Sequence, residues 1–250
     1  MKNPKKLIPN MKYAVVTGGT SGIGKQICLD LLQRAYFVIT QYCNDENAKN
    51  EAEVEFAAIS SSFEIHKADF CKEEDITNFS QAILHKGIDI NLFVGNSGAT
   101  LRKPFTAFTN KEWEAIFRIN LNSNAFILRD LYSVFNENAN IIFIGSTMGK
   151  YPHSVSAAYG VSKAALHFFA ECLVKEFESK KIRVNVVSPS FVETAMQKDK
   201  PFEIRNNIYA KTALHRFCEP QEVSQAVMFC IDNPFLNGAC LDLHGGYNYK

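Results

Sequence analysis

Tyr13-Ala14-Val15-Val16-Thr17-Gly18-Gly19-Thr20-Ser21-Gly22-Ile23-Gly24 is an apolar run that breaks into glycines and then opens a helix. Residues 13–17 have the length and β-branched content of a strand, and Ile23, Ile27 and Leu31 recur at the spacing of one helix face. Gly18 suits the tight turn, Gly22 lets backbone approach a pyrophosphate, and Gly24 lets the helix pack close to the strand. The helix start presents unpaired N–H groups and a partial positive charge to phosphates. The spacing, G-x-x-x-G-x-G, is neither G-x-G-x-x-G nor a Walker loop. Alone it also suits a purely structural β–α connection.

Outward from this turn the same alternation continues. Strands are expected at 37–42, 63–67, 90–96, 141–146, 183–188 and near 239–244. Helices are expected at 46–59, 73–84, 111–135 (capped by Thr109 or Asn110), 156–179 and about 221–231. Strands alternating with helices imply right-handed crossovers and a parallel sheet covered on both faces. The predicted fold is α/β: a Rossmann-type doubly wound parallel sheet of about seven strands. Ligands of such sheets bind beyond the carboxyl ends of the strands, where strand order reverses.

Composition narrows the class. The chain has 250 residues, 46% hydrophobic and 21% charged, which is ordinary for a soluble globular protein. With no Pro/Ser-rich linker and no repeat, one domain over 1–250 is expected, with 1–11 as a flexible tail holding Lys2, Lys5 and Lys6, and Lys12 just beyond it. A net charge of +1 from 27 basic and 26 acidic residues leaves no basic stripe for nucleic acid. No apolar run is long enough for a membrane span or signal peptide, so a cytoplasmic protein is expected. The 7 cysteines lack C-x-x-C spacing and read mostly as small core hydrophobes rather than disulfides or metal ligands.

Tyr159-Gly160-Val161-Ser162-Lys163 sets a phenol and an ammonium on one helix face. A cation at about 4–6 Å lowers a phenol pKa by roughly 1–3 units, which predicts a general acid or base near neutral pH. Such pairs also occur on helix surfaces, but Ser146 ends the fifth strand beside this helix. Asn120 lies within the preceding long helix, where asparagine marks a kink or a water site.

Together these residues resemble the short-chain dehydrogenase/reductase family from about Met11 to Gly246. The matching residues are the Gly18–Gly24 turn, Asp69, Asn96-Ser97-Gly98, Asn120, Ser146, Tyr159, Lys163, Ser188-Pro189 and Leu241–Gly246. The resemblance implies catalysis by Asn120, Ser146, Tyr159 and Lys163. Tyr159 would donate the proton, Ser146 would hold the substrate oxygen, Lys163 would lower the Tyr159 pKa, and Asn120 would hold a relay water. Cofactor contacts are implied for Gly18, Thr20, Ser21, Gly22, Ile23, Gly24, Tyr42, Asn44, Asp69, Phe70, Asn96, Gly98, Tyr159, Lys163, Val192 and Thr194. Gly95, Ser97 and Ser190 depart from residues common in the family.

Gln41-Tyr42-Cys43-Asn44 stands where an NAD enzyme usually places an acid, which favours NADP(H), with NAD(H) as the alternative. Residues 191–214 are expected to form a flap over an apolar substrate pocket. The pattern is closest to 3-oxoacyl-acyl-carrier-protein reductases, so a small-molecule or carrier-bound ketone is expected, with Lys175 and Lys180 as the cations available for an acidic carrier. The resemblance implies that the two long helices pair copies of the chain into a homotetramer or homodimer. A cofactor-binding regulatory protein of the same fold and a sugar-nucleotide epimerase are the rival readings.

Overall fold

The computed structural model describes residues 11–198 and 200–249, so the lysines at positions 2, 5 and 6 and nearly all of the expected tail lie outside the described residues. Seven strands form one sheet: β1 (Lys12–Val16), β2 (Tyr36–Tyr42), β3 (Phe63–Lys67), β4 (Ile90–Gly95), β5 (Phe135–Ile144), β6 (Arg183–Pro189) and β7 (Cys240–Leu243). Their order is β3-β2-β1-β4-β5-β6-β7, and every pairing is parallel. All carboxyl ends therefore lie along one edge, and strand order reverses between β1 and β4. The doubly wound parallel sheet is as expected.

The helices are α1 (Gly22–Gln33), α2 (Glu46–Ile59), α3 (Glu73–Leu84), α4 (Asn110–Phe117), α5 (Ser123–Leu131), α6 (Ala157–Glu176), α7 (Ala195–Lys198), α8 (Phe202–Lys211) and α9 (Pro220–Asp232). One face of the sheet packs Val16, Val38 and Ile142 against Ile27 and Leu31 of α1, Phe56 of α2 and Val227 of α9. The other packs Val15, Phe93 and Phe143 against Ile83 of α3, Leu128 of α5 and Leu166 of α6. Strands buried on both faces explain their unbroken apolar runs.

The helix expected over 111–135 is interrupted. It starts with a capping box between Thr109 and Glu112, widens into a π-helical turn at Arg118–Asn122, resumes as α5, and ends in a short 3₁₀ turn at Tyr132–Val134. β5 begins earlier than its apolar core suggests, at Phe135, which pairs with Ile90 before a register shift carries Asn140 opposite Leu92. Asn138, at φ 60°, lies in that shift. Cysteine usage also differs from expectation: only Cys28 and Cys230 are buried, whereas Cys43, Cys71 and Cys172 are exposed. Among the described residues, no helix is long and apolar enough to cross a membrane.

Candidate active site

A cleft of about 570 Å³ opens beyond the carboxyl ends of the strands, within the range of small-molecule and cofactor sites. Of the residues implied by the resemblance, all but Gly24 and Asn120 line it. Gly24 acts from behind: a Cβ there would stand 2.2 Å from the Gly18 carbonyl oxygen and 2.4 Å from Asn96 Nδ2. Gly18 itself has φ 65°, the left-handed conformation expected of the tight turn. Asn96 does more than line the cleft, because its Nδ2 donates to the Thr17 and Gly18 carbonyls at 2.9 and 3.0 Å. Gln41, buried at the end of β2, accepts from Gly18 N–H (3.0 Å) and Ser97 Oγ (3.1 Å) and donates to the Ala68 carbonyl. The glycine turn is thus stapled from the ends of β2, β3 and β4.

At the other end of the cleft, α6 carries Tyr159, Lys163 and His167 at successive turns of one face. The Tyr159 hydroxyl meets the Ser146 side chain in hydrogen-bond contact, and Ser146 lies just past β5. Lys163 is 3% exposed, and its Nζ donates to the Ile144 carbonyl at 2.7 Å. Burial lowers its pKa from 10.5 to about 8. Here the sequence expectation is corrected. The Tyr159 pKa is raised rather than lowered, because burial outweighs the Ser146 hydrogen bond, and Lys163 is not among the causes. The phenol of the ligand-free protein is therefore a proton holder.

His167 was not foreseen. Its Nε2 accepts the Ser146 backbone N–H at 3.4 Å, and burial together with nearby Lys150 and Lys163 lowers its pKa to about 4. A neutral imidazole thus holds the Ser146 backbone from below. Gly145 makes this approach possible, since a Cβ there would stand 2.3 Å from Nε2.

Asn120 sits fully buried in the π-helical turn, as a kink residue. Its Oδ1 accepts from Ala99 N–H at 2.8 Å, and its Nδ2 donates to the Ala99 carbonyl and Ser162 Oγ. Its side chain therefore ties the loop after β4 to α6, and its carbonyl accepts from Asn124 Nδ2 at 3.1 Å. Asn124 also explains Gly95, because a Cβ at Gly95 would come within 2.3 Å of Asn124 Oδ1.

At the opposite end, Tyr42, Asn44, Asp69 and Phe70 line the cleft. Asp69 Oδ1 accepts from Cys71 N–H, which orients the carboxylate. Asp45 lines the cleft too, but its Oδ1 caps α2 by accepting from Ala48 N–H at 2.9 Å. Lys67, from the end of β3, places its ammonium 5.8 Å from the Tyr42 ring centroid and 2.7 Å from Glu46. Sequence inspection near Tyr42 overlooks this cation because it arrives from the neighbouring strand.

The flap begins at Phe191, with Val192 bridged to Cys218 and Thr194 against Gly22. Phe191, Ile208 and Phe217 form a small core of their own with Tyr209 and Tyr247, so part of the flap packs on itself. Lys180 is not a cleft residue: its Nζ donates to the carbonyls of Tyr132, Ser133 and Phe135. Lys175, in the last turn of α6, is exposed. Arg102 and Lys200 line the cleft in their place.

Residues 12–203 match the short chain dehydrogenase family. The acetoacetyl-CoA reductase of Allochromatium vinosum is 31% identical over 241 residues, covering 94% of this chain and 98% of that protein. The 3-oxoacyl-acyl-carrier-protein reductase of Thermotoga maritima is 26% identical, covering 94% and 97%. Among solved structures, a short chain dehydrogenase from Burkholderia cenocepacia in complex with NADP superposes with a TM-score of 0.87 at 21% identity, covering 95% of this chain and 98% of that one. A family match over most of the chain, on a sheet of this order, places the protein among enzymes that oxidise or reduce their substrates: it belongs to the short-chain dehydrogenase family.

Proposed function

We propose that the chain reduces a ketone to a secondary alcohol with NADP(H), and that the ketone is a 3-oxoacyl thioester or a compound like it. The observation that carries this reading is the Tyr159 hydroxyl held against Ser146 at the end of the cleft, with its pKa raised. A phenol that keeps its proton suits donation to the oxygen of a carbonyl becoming an alkoxide.

The residues suit the cofactor. A buried ammonium has three donors, and Lys163 uses one on the Ile144 carbonyl, leaving the others for ribose hydroxyls in the cleft it lines. Gly18–Ile23 and the start of α1 would hold the pyrophosphate, Asp69 and Phe70 the adenine, and Val192 and Thr194 the carboxamide. When bound, the nicotinamide supplies the hydride. Tyr159 Oη then gives its proton to the substrate oxygen, and Ser146 Oγ donates a hydrogen bond to the same atom. Preorganised donors of this kind stabilise the developing charge. Solvent then returns a proton to the phenolate that remains.

NADP(H) is favoured over NAD(H) because the carboxylate beyond β2 is turned to cap α2, and the Burkholderia structure of the same fold is a complex with NADP. The preference for a 3-oxoacyl thioester follows the Allochromatium and Thermotoga relatives. Self-association is proposed through α6, whose Val161 and Phe168 are exposed at 50% and 67%, and light scattering that finds only monomer at micromolar concentration would exclude it.

The deciding experiment is a cofactor-consumption assay with NADPH and NADH against acetoacetyl thioesters and simple ketones. Tyr159→Phe is expected to abolish turnover while NADPH still binds. Turnover at the wild-type rate in that variant would refute the assignment.

A further inference from the structure

Two cations of the cleft have no role in the chemistry above. Arg102 follows β4 in a loop tied by Lys103 N–H to the Val155 carbonyl at 2.9 Å. Val155 and Ser156 lead directly into the helix that carries Tyr159, so Arg102 stands at the reacting end, away from Tyr42 and Asp69. Lys200 comes from the flap just beyond α7, and both residues line the cleft. Lys200 lies close enough to Arg102 and Arg205 to feel both as like charges, which adds to a larger effect of burial in lowering its pKa.

The neighbouring cations are neutralised. Arg205 pairs with Glu193, and Lys103 with Glu112 at 2.5 Å. Among the described residues, neither Arg102 nor Lys200 has a carboxylate partner. The acidic residues lining the cleft, Asp45 and Asp69, belong to its other end. Arg102 is exposed and Lys200 half-buried, and two cations that line one cleft without a carboxylate partner draw an anion to it.

We propose that Arg102 and Lys200 form an anion-binding subsite at the reacting end of the cleft, so that the ketone substrate carries a carboxylate or phosphate group. The inference rests on the reductase reading and narrows it: neutral ketones are poor substrates because nothing in them meets this pair.

The test compares wild type with Arg102→Gln, Lys200→Gln and the double variant. With NADPH, each is assayed on acetoacetate (a short carboxylate), acetoacetyl-CoA (phosphates on a long arm) and ethyl acetoacetate (neutral). Charge-assisted bonds to one or two cations predict a KM rise of about 10- to 100-fold for an anionic substrate in the double variant. kcat, the constants for ethyl acetoacetate and the KM of NADPH should hold. Which anionic substrate responds tells a carboxylate from a phosphate. Equal losses on neutral and anionic substrates, a raised KM for NADPH, or no change overturns the subsite. Should wild type reduce none of the three, the reductase reading fails separately. Calorimetric titration of acetoacetyl-CoA into the NADP⁺-loaded proteins then decides the subsite: binding weakened in the double variant supports it, and equal or absent binding overturns it.

Discussion

Replacing Lys163 by methionine is expected to stabilise the protein and to inactivate it. Lys163 is 3% exposed, and burial brings its pKa from 10.5 to about 8. That difference corresponds to about 3 kcal/mol spent keeping the ammonium charged in the folded chain at neutral pH. Methionine fills a similar volume without charge, and such replacements of buried ions are often stabilising. Against this, the Ile144 carbonyl loses the donor that stands 2.7 Å away, a loss of about 1–2 kcal/mol. The net gain is about 1–2 kcal/mol, or a Tm rise of about 2–5 °C for a chain of this length. The pH dependence identifies the cause. Between about pH 8 and 10.5 the unfolded chain holds the Lys163 proton and the folded chain does not, so wild-type stability rises there with pH. The advantage of the variant should therefore be full below pH 8 and close toward pH 10.5. Scanning calorimetry of both ligand-free proteins at about pH 7 and pH 9.5 measures it. A variant that melts below wild type at pH 7, or an equal gap at both pH values, would refute the reasoning.

Three further outcomes are expected. Ketone reduction by the wild type should fall as pH rises through about 8, where Lys163 loses its charge, while Tyr159 remains protonated; a pH–rate profile rising through that range would contradict this. The folded His167 resists protonation until about pH 4, whereas the unfolded imidazole takes a proton near 6.5, so wild type should lose about 3 kcal/mol between those values. His167→Gln, which keeps an acceptor for Ser146 N–H, should lack that loss, as urea midpoints at pH 7 and 4.5 would reveal. Gly95→Ala should cost about 2–3 kcal/mol through its overlap with Asn124 Oδ1, and Asn124→Ala should remove part of that cost; strict additivity in a double-mutant cycle would exclude the contact.

The parts legible in the sequence are those written in short range. The strand–glycine–helix start, the alternating apolar runs and the Tyr159–Lys163 spacing each express local periodicity, and the sheet follows from their alternation. What escaped was set by distant partners. The break at Asn120 depends on Ala99 and Ser162, and the early start of β5 lies in Asn136-Glu137-Asn138, which carries no strand pattern. Gln41 and His167 look like stray polar residues on apolar elements until the Gly18 and Ser146 N–H groups are seen beside them. The direction of the Tyr159 pKa was missed for a similar reason, since spacing places a cation one turn away but does not report the depth of burial.

Helix phase explains how the wide turn at Arg118–Asn122 holds an extra residue without disturbing the helix that follows. A π turn holds one residue more than an α turn, and each residue advances a helix by about 100°. Deleting a single residue there would restore α-helical winding and leave Ile127, Leu128 and Leu131, all buried in α5, facing the sheet as before. The same deletion would carry Asn120 away from Ala99. At this point the extra residue serves the loop after β4 and the neighbouring α6, while the sheet-facing register of α5 stays that of an uninterrupted helix.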